Sequence, residues 1–218
     1  TGQRRSGLRV SFLQEDVAER SEAMLGGAMA QLKGGDPAWL ATDVGPVIDQ
    51  DALTALTKHL KWLEGHGRLI ARTPLPAATD KSWFFAPVAY GIERLGQLSG
   101  ENFGPILHVI RYGADQLDRV IEDINGTGYG LTLGIHTRID ATAQYIAMRV
   151  RTGNIYVNRT IIGATVGVQP FGGEGLSGTG PKAGGPHYLL RFATERTLTV
   201  NTSAAGGNAS LLGLAEDP

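Results

Sequence analysis

Residues 106–158 read ILHVIRYGADQLDRVIEDINGTGYGLTLGIHTRIDATAQYIAMRVRTGNIYVN. Ile106 to Tyr112 is an apolar run closed off by Pro105 and Gly113, the signature of a buried strand. From Asp115 to Asn125, Leu117, Val120, Ile121 and Ile124 recur at spacings of three and four, which predicts a helix with one inward face. A second strand over Leu131 to Thr137, a second helix over Ala141 to Val150 and a third strand over Asn154 to Asn158 complete the stretch. Parallel neighbours need a crossover of a dozen residues or more, and helices of this length supply it. The alternation therefore predicts an α/β fold with βαβ units on a parallel sheet.

Working upstream, Leu8-Arg9-Val10-Ser11-Phe12 alternates as a strand directly after Thr-Gly-Gln-Arg-Arg-Ser-Gly, so we expect the chain to begin inside a fold. Glu15 to Lys33 predicts a helix with Val17, Met24, Leu25, Ala28, Met29 and Leu32 on its buried face, stopped by Gly34-Gly35-Asp36-Pro37. Asp51 is the expected cap of the next helix, where Leu53, Leu56, Leu60 and Leu63 form the apolar stripe. Strands are expected at Arg68 to Arg72 and Phe84 to Tyr90. Downstream, periodicity disappears from Thr160 to Pro186, a stretch dense in glycine and broken by Pro170 and Pro181, which predicts a long functional loop. Arg196 to Thr202 alternates as a strand, and Ala204 to Pro218 reads as a tail.

Composition narrows the function classes. The 20 Lys+Arg against 21 Asp+Glu leave a net charge of −1, so no cationic excess points to nucleic acid. No run approaches the roughly 20 apolar residues of a membrane span, and no signal-peptide pattern opens the chain. With no cysteine there is no disulfide framework and no thiol nucleophile, a composition that suits a reducing cytoplasm. Glycine, at 31 of 218 residues, is about twice its usual share, as in chains rich in close backbone approaches.

Three motifs have plainer readings. Gly173-Glu174-Gly175-Leu176-Ser177-Gly178 matches the dinucleotide fingerprint in spacing, but Thr179-Gly180-Pro181 follows where a helix has to start. Ser177 lacks the flanking glycine of a nucleophile elbow, because Thr179 stands there. The histidines at 59, 66, 108, 136 and 187 have no ligand spacing, so no metal is expected. Glu101-Asn102-Phe103-Gly104-Pro105 is, taken alone, a strand-entry turn.

Taken in order, Gly2-Gln3-Arg4-x-Ser6, Glu101-Asn102-Phe103-Gly104-Pro105, Gly153-Asn154-Ile155-Tyr156-Val157-Asn158-Arg159 and Pro170-Phe171-Gly172-Gly173 resemble the aldehyde dehydrogenase superfamily. Val168 to Pro186 resembles, more narrowly, the signature loop of the dehydrogenases that oxidise L-glutamate γ-semialdehyde, the hydrate of 1-pyrroline-5-carboxylate. The tail, with Gly206-Gly207-Asn208-Ala209-Ser210-Leu211-Leu212, is similar to the C-terminal motif of the bifunctional proline utilization A family. The resemblance implies an aldehyde dehydrogenase catalytic-domain half over residues 1–195, with an oligomerisation flap strand and tail over 196–218.

It also implies roles residue by residue. Glu101 would bond the nicotinamide ribose of NAD, and Phe103 would pack near the nicotinamide ring. Ser6, Gly163 and Ala164 fall where the family holds the substrate's α-carboxylate, and Phe171 where an aromatic lines its aliphatic part. The implied partners are glutamate γ-semialdehyde or a related amino acid, other copies of the chain joined through the C-terminal strand, and an upstream cofactor-binding and proline dehydrogenase region. Arg5 stands where the family has its nucleophilic cysteine, and a guanidinium cannot attack an aldehyde. The general base and the oxyanion asparagine of the family fall upstream of Thr1. The expected function is therefore a catalytic-domain portion of an NAD-dependent semialdehyde dehydrogenase that is inactive as this chain alone. A non-catalytic module for assembly, tunnel covering or ligand binding is the alternative.

Overall fold

The structure is a computed structural model that describes residues 2–77, 79, 82–165, 167–178, 180–201 and 204. Four strands form the main sheet: β1 (Val10–Gln14), β2 (Arg68–Arg72), β3 (Val88–Gly91) and β4 (Ile106–Tyr112), in the order β1-β4-β3-β2. β1, β4 and β3 run parallel, and β2 closes one edge antiparallel to β3. Helix α1 (Glu15–Gln31) leaves β1 directly, and α2 (Gln50–His66) packs its stripe on the sheet. Leu56 and Leu63 are almost wholly buried against Val88, Tyr90, Ile106 and Ile110. Each such side chain contributes roughly 1.5–3 kcal/mol of transfer free energy.

The cap of α2 is Asp49, two residues before the expected Asp51: its carboxylate accepts from Ala52 N–H at 2.7 Å. Asp51 is then an acidic residue in the first turn, where it favours the helix dipole. The buried face of α1 is also displaced from the expected one. Ala18, Glu22 and Met29 point inward, while Val17 and Met24 are 53% and 69% exposed. The cause is Glu22, whose carboxylate takes two hydrogen bonds from Arg68 on β2 and two from Arg111 on β4, at 2.7–2.8 Å. A carboxylate at that position cannot be recognised as inward from apolar periodicity.

After β4 the chain forms α3 (Leu117–Gly126), β5 (Tyr129–Gly130), β6 (Thr132–Ile135), α4 (Asp140–Ala147) and β7 (Asn154–Val157). β6 and β7 are parallel neighbours with α4 as their crossover, as expected. β4 and β6, joined by α3, are not paired with each other, so the parallel strands fall into two pieces among the described residues. In the long loop, β8 (Glu174–Gly175) pairs antiparallel with β5, and Phe171 bridges to Ala183. The expected strand at Arg196 to Thr202 forms no ladder over its described part, Arg196 to Asn201, and Leu198 and Val200 are 80% and 66% exposed. A strand needs a ladder partner, and no ladder includes residues 196–201 among the described residues. The tail motif from Gly206 to Leu212 lies outside the described residues.

Candidate active site

The N-terminal segment reaches the Glu101–Pro105 loop through a glycine. Gly2 adopts φ +66°, and a Cβ there would meet the Gly104 carbonyl oxygen at 1.9 Å, so only glycine permits the approach. Gln3 fixes the segment from the other side by accepting from Ile48 N–H at 2.9 Å. A turn closed by Gly7 N–H on the Arg4 carbonyl then carries Arg5 and Ser6. Arg5 is exposed and Ser6 half-buried.

Arg9, just after this turn, joins it to the second loop. Its Nη2 donates to the Arg4 carbonyl at 2.7 Å, its Nε to Glu101 Oε1 at 3.1 Å, and its guanidinium lies 4.6 Å from the Phe103 ring centre. The Arg9 side chain is largely buried, at 15% exposure, which strengthens the ion pair relative to one in open solvent. One carboxylate oxygen of Glu101 and the body of Phe103 remain available to the cleft.

Arg9 also connects to a histidine pair, His108 buried and His59 half-buried. Its carbonyl lies 2.9 Å from His108 Nδ1, and His108 Nε2 lies 2.8 Å from His59 Nε2. A carbonyl only accepts, so His108 carries its proton on Nδ1 and accepts at Nε2 from His59 Nε2–H. Burial, and secondarily the neighbouring His108, lowers the His59 pKa to about 4. Burial lowers that of His108 too, against the opposing hydrogen bond to Arg9. Both rings are neutral at pH 7, and neither converges with other donors. Among the described residues no group of three or more His, Asp or Glu side chains could hold a metal ion, and no helix is long and apolar enough to cross a membrane.

The glycine-rich loop is anchored by the start of β7. Asn154 donates Nδ2–H to the Pro170 carbonyl at 2.9 Å and accepts from Gly172 N–H at 3.1 Å, holding Phe171 between the two contacts. Phe171 and Ala183 exchange backbone hydrogen bonds, and Lys182 donates to the Gly153 carbonyl. Ser177 accepts from Gly130 N–H at 3.1 Å, a structural task for the hydroxyl. The described residues 180–188 after Gly178 form no helix, whereas the dinucleotide motif opens one.

Arg5, Glu101, Phe103 and Phe171 border one cleft of about 2300 Å³, and Ser6 sits within the turn that presents Arg5. Gly163 and Ala164 do not border it. Gly163, at φ +85°, stands open with nothing near its Cβ direction, although Ile161 and Ile162 just before it line the cleft. Sequence reading missed Arg9, Asn154 and Lys182. Asn154 left a signal, a polar residue opening an apolar strand after glycine, whereas nothing in local pattern marks Arg9 as a link to residues 92 positions away.

The aldehyde dehydrogenase family model matches residues 1–198, and the chain belongs to that family. It is 50% identical over 200 residues to the bifunctional protein PutA of Salmonella typhimurium, covering 89% of this chain and 15% of that protein. It is 34% identical over 201 residues to a 1-pyrroline-5-carboxylate dehydrogenase of Geobacillus, covering 91% of the chain and 38% of the relative. A crystal structure of a proline utilization A variant from Bradyrhizobium japonicum superposes with a TM-score of 0.88 at 56% identity, over 94% of this chain and 21% of that one. The chain thus spans well under half the length of each of these relatives.

Proposed function

We propose that the chain is the C-terminal catalytic-domain portion of an NAD-dependent L-glutamate γ-semialdehyde (1-pyrroline-5-carboxylate) dehydrogenase acting in proline catabolism to glutamate, and that it is inactive alone. The observation that carries this reading is the Arg9 link, which holds the turn bearing position 5, the Glu101 carboxylate and the Phe103 ring in one unit. An aldehyde oxidation needs those three elements together: a nucleophile position, an acceptor for ribose hydroxyls and a wall for the nicotinamide. Relatives named as PutA and as 1-pyrroline-5-carboxylate dehydrogenase supply the substrate class.

The residues present fit the nicotinamide riboside end of NAD. Glu101 keeps one oxygen free of Arg9 to accept from ribose hydroxyls, and Phe103 is 42% exposed at the cleft. When bound, the nicotinamide accepts the hydride that leaves the aldehyde carbon. Ser6 takes the α-carboxylate in this reading, with Phe171 against the aliphatic chain. The step the chain cannot perform is the one before hydride loss, in which a thiolate forms a C–S bond to the aldehyde carbon. Arg5 has no lone pair for it. A cytoplasmic location, other copies of the chain as assembly partners and an upstream cofactor-binding and proline dehydrogenase region belong to the same reading.

A non-catalytic module for assembly, tunnel covering or ligand binding is the second reading, and the guanidinium at position 5 favours it. Incubating the purified chain with glutamate γ-semialdehyde and NAD tests both at the level of chemistry. We expect no NADH above a blank, and clear turnover overturns the role given to Arg5.

A further inference from the structure

Three charged side chains bear on the turn that carries residue 5: Arg4 within it, Arg9 after it and Glu101 on the neighbouring loop. The Arg4 carbonyl belongs to the peptide whose N–H is that of residue 5. It accepts Gly7 N–H at 2.9 Å and Arg9 Nη2 at 2.7 Å, so the Arg9 guanidinium is seated against the backbone of position 5. Its Nε meets Glu101 Oε1 at 3.1 Å, and its Nη1 is buried without an acceptor among the described residues. The guanidinium is therefore engaged by one carboxylate oxygen only.

The two charges of that ion pair do not cancel at the turn. The Arg9 side chain is 15% exposed and that of Glu101 34%, so solvent screens the anion more than the cation. Position 5 thus lies in a net positive setting, to which the exposed Arg4 adds little. Arg5 brings a like charge into it and has no hydrogen-bond or ion-pair partner among the described residues. The other acids, arginines and histidine bordering the cleft, Glu122, Asp123, His136, Arg138, Asp140 and Arg159, stand on α3 and the segments after it. Their field is the same in every variant of positions 5, 9 and 101.

We propose that Arg9 is a positioning residue for side chain 5: it sets a sparingly hydrated cation against that turn, so the turn favours an anionic side chain, and Glu101 tempers the charge. A carboxylate able to accept ribose hydroxyls and a nucleophile position are in this way linked through one guanidinium. The proposal rests on the reading of position 5 as the nucleophile position and deepens it, since a thiolate beside a guanidinium forms at lower pH than a free one. The like charge of the present arginine is the opposite of what that setting favours.

The chain has no cysteine, so Arg5→Cys introduces a single thiol. Its rate of alkylation by iodoacetamide, in which the sulfur displaces iodide, is measured on the 218-residue chain across a pH series, and the midpoint reports formation of the thiolate. We expect a midpoint below the roughly 8.5 of a free cysteine. Adding Glu101→Gln should lower it further by about one pH unit, and adding Arg9→Met should raise it by about as much. Arg9→Lys keeps the charge without the planar fork and should recover most of the difference. A purely structural ion pair would act otherwise, because losing either partner breaks the same contact and moves the midpoint the same way. A starting midpoint at or above the free value, equal direction in the two variants, or no movement in Glu101→Gln overturns the proposal. The Glu101→Gln result decides by itself if Arg9→Met does not fold. Opposite movements in a chain that gives no NADH with the remainder of the Salmonella typhimurium PutA would keep the role of Arg9 and remove the dehydrogenase reading.

Discussion

At the scale of single residues, the histidine pair behind Arg9 makes the stability of the chain fall in acid. His59 and His108 share a hydrogen bond that uses one Nε2 proton, and protonating both rings destroys it. Because the folded-state pKa of His59 is lowered from 6.5 to about 4, the unfolded chain binds more protons between those values. The contribution to stability is fully present above pH 6.5 and is lost as pH falls from there toward 4. Allowing for solvent screening at a ring that is only partly buried, the loss is roughly 1–2 kcal/mol. Denaturant titrations at a series of pH values should show this decline, and His59→Gln should flatten it. An equal slope in the variant would assign the decline to other groups.

Legibility at this scale depended on whether a residue's role is local. Glu101, Phe103 and Phe171 sit in distinctive short motifs, and the structure brings them to one cleft with Arg5. Arg9 looked like an ordinary strand residue because its partners, Arg4 apart, are distant in sequence. Gly163 and Ala164, expected to join the others, stand off the cleft on a loop whose glycine has open space around it.

Among the elements, the helices and strands of residues 106–158 follow the sequence periodicity closely, because their inward positions are mostly apolar, with His108 and Asn154 as buried polar exceptions. α1 departs from it because a charge took an inward position. Glu22 is pulled below its usual carboxylate range, first by the Arg111 hydrogen bond and then by Arg68, against the cost of burial. Its contribution is present above the unfolded value of 4.5 and is lost as pH falls through the lower folded value. We expect Glu22→Gln to destabilise the chain by about 2 kcal/mol at pH 7, since Arg68 and Arg111 lose their shared anion. The difference from the parent should shrink as pH falls through the lowered folded value, below which both carry a neutral side chain. Denaturant midpoints at a series of falling pH values measure it, and a penalty that does not shrink would point to packing instead.

The strand expected at Arg196 to Thr202 failed for an element-level reason of the opposite kind. Its alternation is real, but alternation specifies a face and not a partner. Leu198 and Val200 are left exposed over the described part.

For the whole molecule, the exposed Leu198 and Val200 mark the segment expected to assemble. If residues 196–218 serve oligomerisation, deleting them should shift the mass in solution toward monomer. Sedimentation at several concentrations measures this, and an unchanged oligomer after deletion assigns assembly to another surface. The domain division at residue 195 rests on the same result.

The central claim is that the chain carries a semialdehyde dehydrogenase site whose chemistry is blocked at position 5 and incomplete without further polypeptide. NADH formation from glutamate γ-semialdehyde and NAD tests it most directly, measured for the chain and its Arg5→Cys variant, each alone and each with the remainder of the Salmonella typhimurium PutA. The account predicts turnover for the Arg5→Cys variant with that remainder and for no other combination, since a thiol without the hydride acceptor can trap an aldehyde but not oxidise it. Turnover by the parent chain, or none by the variant in a complex that has formed, would contradict it.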